Sequence, residues 1–267
     1  MAVVLVSIFI PTYNGASFLP ETVQSVIRQS YTHWELWLVD DCSTDGVTPS
    51  LLDDYAAQDS RIHVIHKERN EGFVPCSWNR VFSQLSGEFT LYMSQDDWLA
   101  PDCLEMLIQT QSAADADTVI ANCVFTDGNQ QRASFGPHSP AMSLAPRQAF
   151  ARMLNYDIPG FALWRTSLIR HLGMPTDAWN ADEGMQRLWA LGSNRVMLCP
   201  AAMFYYRQTP DSITKGLRPY HLSGLNTQRA LLRASLTHGI WWRYPLPVIR
   251  FAWQYLRSWR YLRRHLA

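Results

Sequence analysis

Residues 3–15 of this 267-residue chain read Val-Val-Leu-Val-Ser-Ile-Phe-Ile-Pro-Thr-Tyr-Asn-Gly. The first eight form an apolar run rich in β-branched side chains, and Pro11 ends it, as expected of a strand buried on both faces. A helical pattern follows, with Leu19, Val23, Val26 and Ile27 on one face. The alternation then repeats. Strands are expected at residues 35–39, 61–65, 89–93 and 118–125. Between them lie a helix marked by Trp78, Val81, Phe82 and Leu85 and another over residues 101–111. Strands separated by helices imply βαβ units, hence an α/β fold whose mainly parallel sheet is flanked by helices. In such sheets ligands bind beyond the carboxyl ends of the strands.

Four segments fall on that edge: Pro11-Thr12-Tyr13-Asn14-Gly15, Asp40-Asp41-Cys42-Ser43-Thr44-Asp45-Gly46, Asn70-Glu71-Gly72 and Ser94-Gln95-Asp96-Asp97. One Asp-Asp pair in a loop is ordinarily a helix cap or a solvated turn. Two pairs at the ends of buried strands require pairing, hydration or a metal. A nucleotide-sugar donor calls for such groups, because its leaving nucleoside diphosphate develops negative charge that a divalent cation can neutralise. Mg²⁺ or Mn²⁺ prefers carboxylate oxygens and keeps several waters, so one or two Asp suffice. The competing phosphate cradles, Gly-x-Gly-x-x-Gly and Gly-x-x-x-x-Gly-Lys-[Ser/Thr], are missing, which argues against a dehydrogenase or a P-loop kinase.

Taken together these segments resemble family 2 glycosyltransferases of the GT-A fold. The resemblance rests on Pro-Thr-Tyr-Asn at 11–14, Val39-Asp40-Asp41-x-Ser43-x-Asp45-Gly46, Asn70-x-Gly72, Asn79, Gly87-Glu88-Phe89 and Asp96-Asp97. Arg165-x-Ser167-x-x-x-x-x-Gly173 and Tyr206-Arg207 with Ser212-x-Thr214 are similar to the family's acceptor half. It implies a catalytic domain over residues 1–220, with a nucleotide-sugar half at 1–100, an acceptor half at 101–220, and a helical extension at 221–267. The implied donor site comprises Pro11, Thr12, Tyr13, Asn14, Asp41, Asn70, Gly72, Asn79 and Asp96, with Asp41 on the base. Asp97, with Asp96, is the implied ligand of Mn²⁺ or Mg²⁺. A UDP-sugar is the favoured donor, and a glycan or lipid-linked molecule the acceptor, in cell-surface polysaccharide synthesis. The chain departs from the pattern at Ser94, where an acid is usual, and at Trp78, where an Arg is often found.

An inverting transfer needs one carboxylate beside the acceptor hydroxyl to accept its proton. Asp182 and Glu183, ahead of Arg187, resemble the family's acidic pair, with Asp182 the first candidate and Glu183 the alternative. Acids also collect at helix starts simply to complement the helix dipole. Two other classes compete. A catalytically dead sugar-nucleotide or glycan binder is compatible with Ser94. A nucleotidyltransferase shares the layers, but its Gly-rich, Arg-containing start is missing.

The eight histidines form no metal triad, and the five scattered cysteines contain no Cys-x-x-Cys pair, which fits a reducing compartment. The opening apolar run lacks signal-peptide flanks, and no run approaches a membrane span, so the expected location is cytoplasmic. Net charge is zero, yet residues 1–211 carry −10 and residues 212–267 carry +10, with no acid after Asp211. Within 229–267, eight arginines interleave with Trp241, Trp242, Trp253 and Trp259. That combination suits an anionic membrane surface and predicts a peripheral position on the inner face of the cytoplasmic membrane. The competing expectation is that the aromatics pack on the catalytic domain. Nucleic acid is not an expected partner, because the body is acidic and no binding motif is present.

Overall fold

The computed structural model describes residues 3–72, 74–127, 130–135, 140–172, 181–208 and 225–265. The opening run forms β1 (Val6–Thr12), followed by α1 (Leu19–Ile27), β2 (Trp34–Asp40), α2 (Thr48–Gln58), β3 (Ile62–His66), α3 (Val74–Val81) and β4 (Phe89–Tyr92). β1 pairs in parallel with β2 and with β4, and β2 with β3. The alternation of side chains then explains the apolar run. Ile8 and Ile10 join the core layer under α1 and α2, whereas Phe9 points into the layer under α3. The register sets Thr12 opposite Asp40 and Asp40 opposite His66, so these strands end level along one edge.

Beyond β4 the sheet becomes mixed. The chain continues through β5 (Trp98–Leu99), α4 (Cys103–Ala114), β6 (Thr118–Thr126), β7 (Gln131–Ala133), β8 (Met142–Leu144), α5 (Pro146–Leu154), β9 (Ala162–Arg165), α6 (Thr166–Leu172), α7 (Ala181–Gly192) and β10 (Val196–Arg207). The strand order is β3-β2-β1-β4-β9-β6-β10-β5, and β9 runs antiparallel to both of its neighbours. The expected parallel order therefore holds for the first four strands. The long β10 shifts register between Cys199 and Met203, where Pro200 has no N–H for the ladder. Past that irregularity it runs on to Arg207, which reaches the same edge as the β4 end. β7 pairs antiparallel with β6, and residues 128 and 129 between them lie outside the described residues. Gly173, Ser212 and Thr214 of the quoted motifs also lie outside the described residues.

Residues past 224 form α8 (Leu225–Thr237), α9 (Ile240–Arg243) and α10 (Pro245–His265). Leu231, Ile240, Val248 and Phe251 close a third apolar cluster with Phe150 and Leu154 of α5. The extension thus packs on the domain through one face, while Trp242 and Trp253 stay exposed.

A buried polar knot joins the parallel strands. Ser7 Oγ and the Ser86 N–H both donate to Glu35 Oε1 at 2.6 Å, and the Gly87 N–H donates to Ser7 Oγ at 2.8 Å. A Cβ on Gly87 would stand 2.5 Å from Ser7 N and 2.8 Å from Leu5 O, which is backbone and cannot give way cheaply. Gly87→Ala should therefore destabilise the fold by roughly 1–3 kcal/mol, the usual cost of overpacking, read from the urea midpoint. An unchanged midpoint would contradict this account of the knot.

Candidate active site

The loops beyond β1 and β2 are stitched by Asn14, which adopts a positive φ of 49°. Its side-chain oxygen accepts the N–H groups of Thr44 (2.8 Å) and Asp45 (3.2 Å), while its own N–H donates to Ser43 Oγ (2.9 Å). Asp45 in turn accepts from Val47 N, Thr48 N and Thr48 Oγ1 and so starts α2. Gln95 fastens the same β1 loop to the β4 loop. Its amide accepts from Tyr13 N at 2.9 Å and donates to Tyr13 O at 3.1 Å. Pro11 is half-buried, Thr12 is buried with an unpartnered Oγ1, and the Tyr13 side chain is exposed.

Asp41 is buried at the end of β2. Its carboxylate accepts from Lys67 Nζ (2.7 Å), Glu71 N (2.9 Å) and Gly72 N (2.8 Å). The same Lys67 Nζ lies 2.9 Å from Glu71 Oε2, and Arg80 on α3 reaches Glu71 Oε1 at 3.3 Å. Hydrogen bonding to Lys67 holds the Glu71 carboxyl below its ordinary range. Asp41 thereby fixes the turn at Asn70-Glu71-Gly72, where Gly72 adopts a φ of +70°. Asn70 and Asn79 are exposed on the adjoining loop and helix. Trp78 is wholly buried among Phe9, Tyr92 and Trp189, so it belongs to the core rather than to the site.

Asp96 and Asp97 follow β4. Asp97 Oδ1 accepts the Arg207 N–H at 3.1 Å, but its buried Oδ2 has no hydrogen-bond partner. Burial first, and then the charge of Asp96, push the Asp97 carboxyl well above the carboxylate range. Burial also raises Asp96. The Arg207 guanidinium donates to Asp96 O at 2.9 Å, pairs with Glu21 and lies over the Trp98 ring at 4.5 Å. The buried Tyr92 phenol lies within electrostatic range both of this pair and of Asp182, in the first turn of α7. Ionisation of that phenol is opposed by burial and then by the charges of Asp182, Asp97 and Asp96. Part of the Asp182 surface is accessible, yet protein surrounds it closely enough that burial, with the neighbouring Glu183, pushes its carboxyl up to about 7. Glu183 points elsewhere, into an ion pair with the buried Arg187 at 3.1 Å.

Residues 7–173 match the model of the family described as Glycosyl transferase family 2. The chain belongs to that family. Among its relatives is the putative teichuronic acid biosynthesis glycosyltransferase TuaG of Bacillus subtilis, 39% identical over 105 residues, a match covering 39% of this chain and 41% of TuaG. The glycosyltransferase GlyG of Streptococcus pneumoniae is 27% identical over 222 residues, 79% of this chain and 73% of GlyG. The match to TuaG thus spans less than half of that relative. Among solved structures, S. aureus TarS 1-349 in complex with UDP-GlcNAc superposes with a TM-score of 0.73 at 20% identity, covering 85% of this chain and 65% of that one. The GT-A fold of this family 2 chain agrees with that superposition.

Four residues of the site carried no assignment from sequence: Gln95, Lys67, Arg207 and Tyr92. Gln95 and Arg207 stood inside quoted motifs, and Lys67 is the first residue past β3, so position relative to the strand ends was the available signal. Lys67 offers a direct check. Lys67→Met leaves Asp41 without its cation and Glu71 with Arg80 alone, and loss of one member of a buried pair costs roughly 3–5 kcal/mol. The folded Glu71 carboxyl is depressed, so its stabilisation is present above about pH 4.3 and is lost as pH falls through the folded value. Urea midpoints of the two proteins should accordingly differ widely at pH 7 and converge in acid. A gap independent of pH would contradict the ion-pair origin.

Proposed function

We propose that this chain is an inverting glycosyltransferase that moves one sugar from a nucleotide diphosphate donor, UDP being favoured, to a hydroxyl of a glycan or lipid-linked acceptor. The observation that carries the reading is Asp182, a carboxyl without an ion-pair partner among the described residues, raised to about 7 and near the buried Tyr92 phenol, whose ionisation is opposed by Asp182 as well as by Asp97 and Asp96. A general base works best when its pKa lies near the operating pH. In this reading Asp182 takes the acceptor proton as that oxygen bonds to the anomeric carbon. The bond from that carbon to the diphosphate oxygen breaks, and its electron pair leaves with the diphosphate. Glu183 positions Arg187 and stays out of the chemistry. The donor half is residues 1–100, where Pro11, Thr12, Tyr13, Asn14, Asp41, Asn70, Gly72 and Asn79 line the nucleoside side. The likeness to TuaG, a putative teichuronic acid biosynthesis glycosyltransferase, and to TarS in its complex with UDP-GlcNAc supports a polysaccharide product and a uridine donor.

The residues fit a divalent cation. Asp97 Oδ2 is buried without a partner beside Asp96, a placement that favours either a proton or a metal. Among the described residues no three acidic, His or Cys side chains converge, which suits a Mn²⁺ or Mg²⁺ held by one or two carboxylates and water. When bound, that ion supplies Lewis-acid stabilisation of the departing diphosphate. The basic extension keeps the enzyme at the inner face of the cytoplasmic membrane, on an anionic surface.

Release of free nucleoside diphosphate on mixing donor and acceptor separates an enzyme from a mere binder. With saturating donor, kcat should fall about tenfold per pH unit below about 7, because protonated Asp182 cannot accept a proton. Asp182→Asn should cut kcat by roughly 10²–10⁴-fold and leave donor affinity almost unchanged. Burial disfavours the charged form, so stability declines as pH rises from the unfolded carboxyl value of about 4 towards the folded one. The Asn variant should therefore melt higher than the parent at pH 8. Equal activity in both proteins would place the base elsewhere. Asp97→Asn should remove the Mn²⁺-dependent increment in UDP affinity while leaving the protein folded. Full activity of that variant in excess chelator would overturn the metal-dependent scheme.

A further inference from the structure

The extension has two faces. Val248 and Phe251 of α10 are buried in the cluster shared with α5, so this side of the helix is fixed to the domain, and Arg250 Nη1, at the margin of the other side, donates to Asn155 Oδ1 at 2.9 Å. The other side presents Leu246 (65% exposed), Ile249 (62%), Trp253 (60%) and Leu256 (47%), and Trp242 of α9 adds a ring at 74%. Positions 246, 249, 253 and 256 follow i, i+3, i+7, i+10 and fall within an arc of about 80° on a helix of 3.6 residues per turn. Scattered exposed apolar residues need no explanation, but a continuous stripe of them does.

Charge decides what covers the stripe. Exposed Arg243, Arg250, Arg257 and Arg260 border it, the Arg257 guanidinium lies over the Trp253 ring at 4.7 Å, and no acid occurs anywhere after Asp211. A second copy of this chain would bring the same positive field against itself. An anionic lipid surface offers the opposite charge, and Trp beside Arg is the pairing that settles at the headgroup level. Among the described residues no helix is long and apolar enough to cross a membrane. We infer that α10 docks on an anionic bilayer by the face Leu246, Ile249, Trp253 and Leu256, lying flat while its opposite face stays packed on α5. This rests on the membrane reading given above and specifies its contact surface.

Packing and membrane contact are thus served by opposite sides of one helix, and chain truncation would confound them. Substitution on the exposed face separates them. The test is co-sedimentation of the full chain with sucrose-loaded vesicles, either phosphatidylcholine alone or mixed with phosphatidylglycerol. The unmodified protein should bind the anionic vesicles and bind neutral ones at least tenfold less. The variant Leu246→Gln, Ile249→Gln, Trp253→Gln, Leu256→Gln should lose binding by about 100-fold or more, since four inserted apolar groups are removed. Its melting temperature and its release of nucleoside diphosphate with a water-soluble acceptor should not change. Arg243→Gln, Arg257→Gln, Arg260→Gln should abolish the preference for anionic lipid. If the apolar-face variant binds as the parent does, the proposed face is wrong while membrane association stands. No binding of the unmodified protein to either vesicle would overturn the membrane reading itself, whatever the transfer assay gives. A dimer of the unmodified chain that the four glutamines disperse would make a second copy the occupant and overturn the proposal.

Discussion

A carboxylate removed from water requires hydrogen bonds or a cation in compensation; otherwise it takes up a proton. The carboxyl edge of this sheet applies that rule in both directions. Asp40 receives the N–H and hydroxyl of Ser43 and a ring nitrogen of His66. Asp41 receives an ammonium and two backbone N–H groups. Both carboxylates are compensated within the chain, and both serve to hold loops. Asp97 and Asp182 are treated differently. One Asp97 oxygen has no donor at all, and burial raises both carboxyls. The fold bears the cost of these two and leaves them able to exchange a proton or accept a cation, which is the property a reaction centre needs.

The compensated groups also explain why the site is preformed. No loop on this edge stands alone. Asn14 ties the β1 loop to the β2 loop, Gln95 ties it to the β4 loop, and Asp41 with Lys67 ties β2 to the turn after β3. Arg80 carries that connection to α3, and Arg207 binds the end of β10 to the Asp96-Asp97 turn. Each link is a directional hydrogen bond between residues distant in sequence. Displacing one loop therefore strains the next, and the geometry of this edge is held by the chain's own hydrogen bonds.

The same contrast explains what was legible in the sequence. The first four strands were readable because strands buried on both faces leave continuous apolar runs, and the loops at their ends then drew attention through Asp40-Asp41 and Asp96-Asp97. α2 escaped notice since it buries only Thr48, Leu52 and Tyr55, too few for a clear helical stripe. β9 and β10 were missed for another reason. β9 inserts antiparallel between β4 and β6, a choice made by tertiary packing, and β10 is interrupted at Pro200. Asp182 and Glu183 could not be separated from sequence because neighbours in a first helical turn share composition and dipole. Their surroundings separate them: Glu183 pairs with Arg187, whereas the charge of Asp182 is felt by the buried Tyr92 phenol. Trp78 looked like a substituted site residue and is instead a core residue whose ring packs against Tyr92.

The extension bears on the start of α7 through packing, independently of its charge. Gly184, one turn into the helix that carries Asp182, lies so close to α8 that a Cβ there would stand 1.9 Å from Thr227 Cγ2 and 3.9 Å from Leu231 Cδ1. Thr227 is buried in this contact, and Leu231 continues into the cluster that also holds α10. The absence of a side chain at Gly184 is what lets the extension approach the first turn of α7. Close-packed interiors transmit small displacements instead of absorbing them. A shift of α8 therefore has to be shared with the first turn of α7, which carries Asp182, and the extension is as much a wall of that helix as an appendage to it.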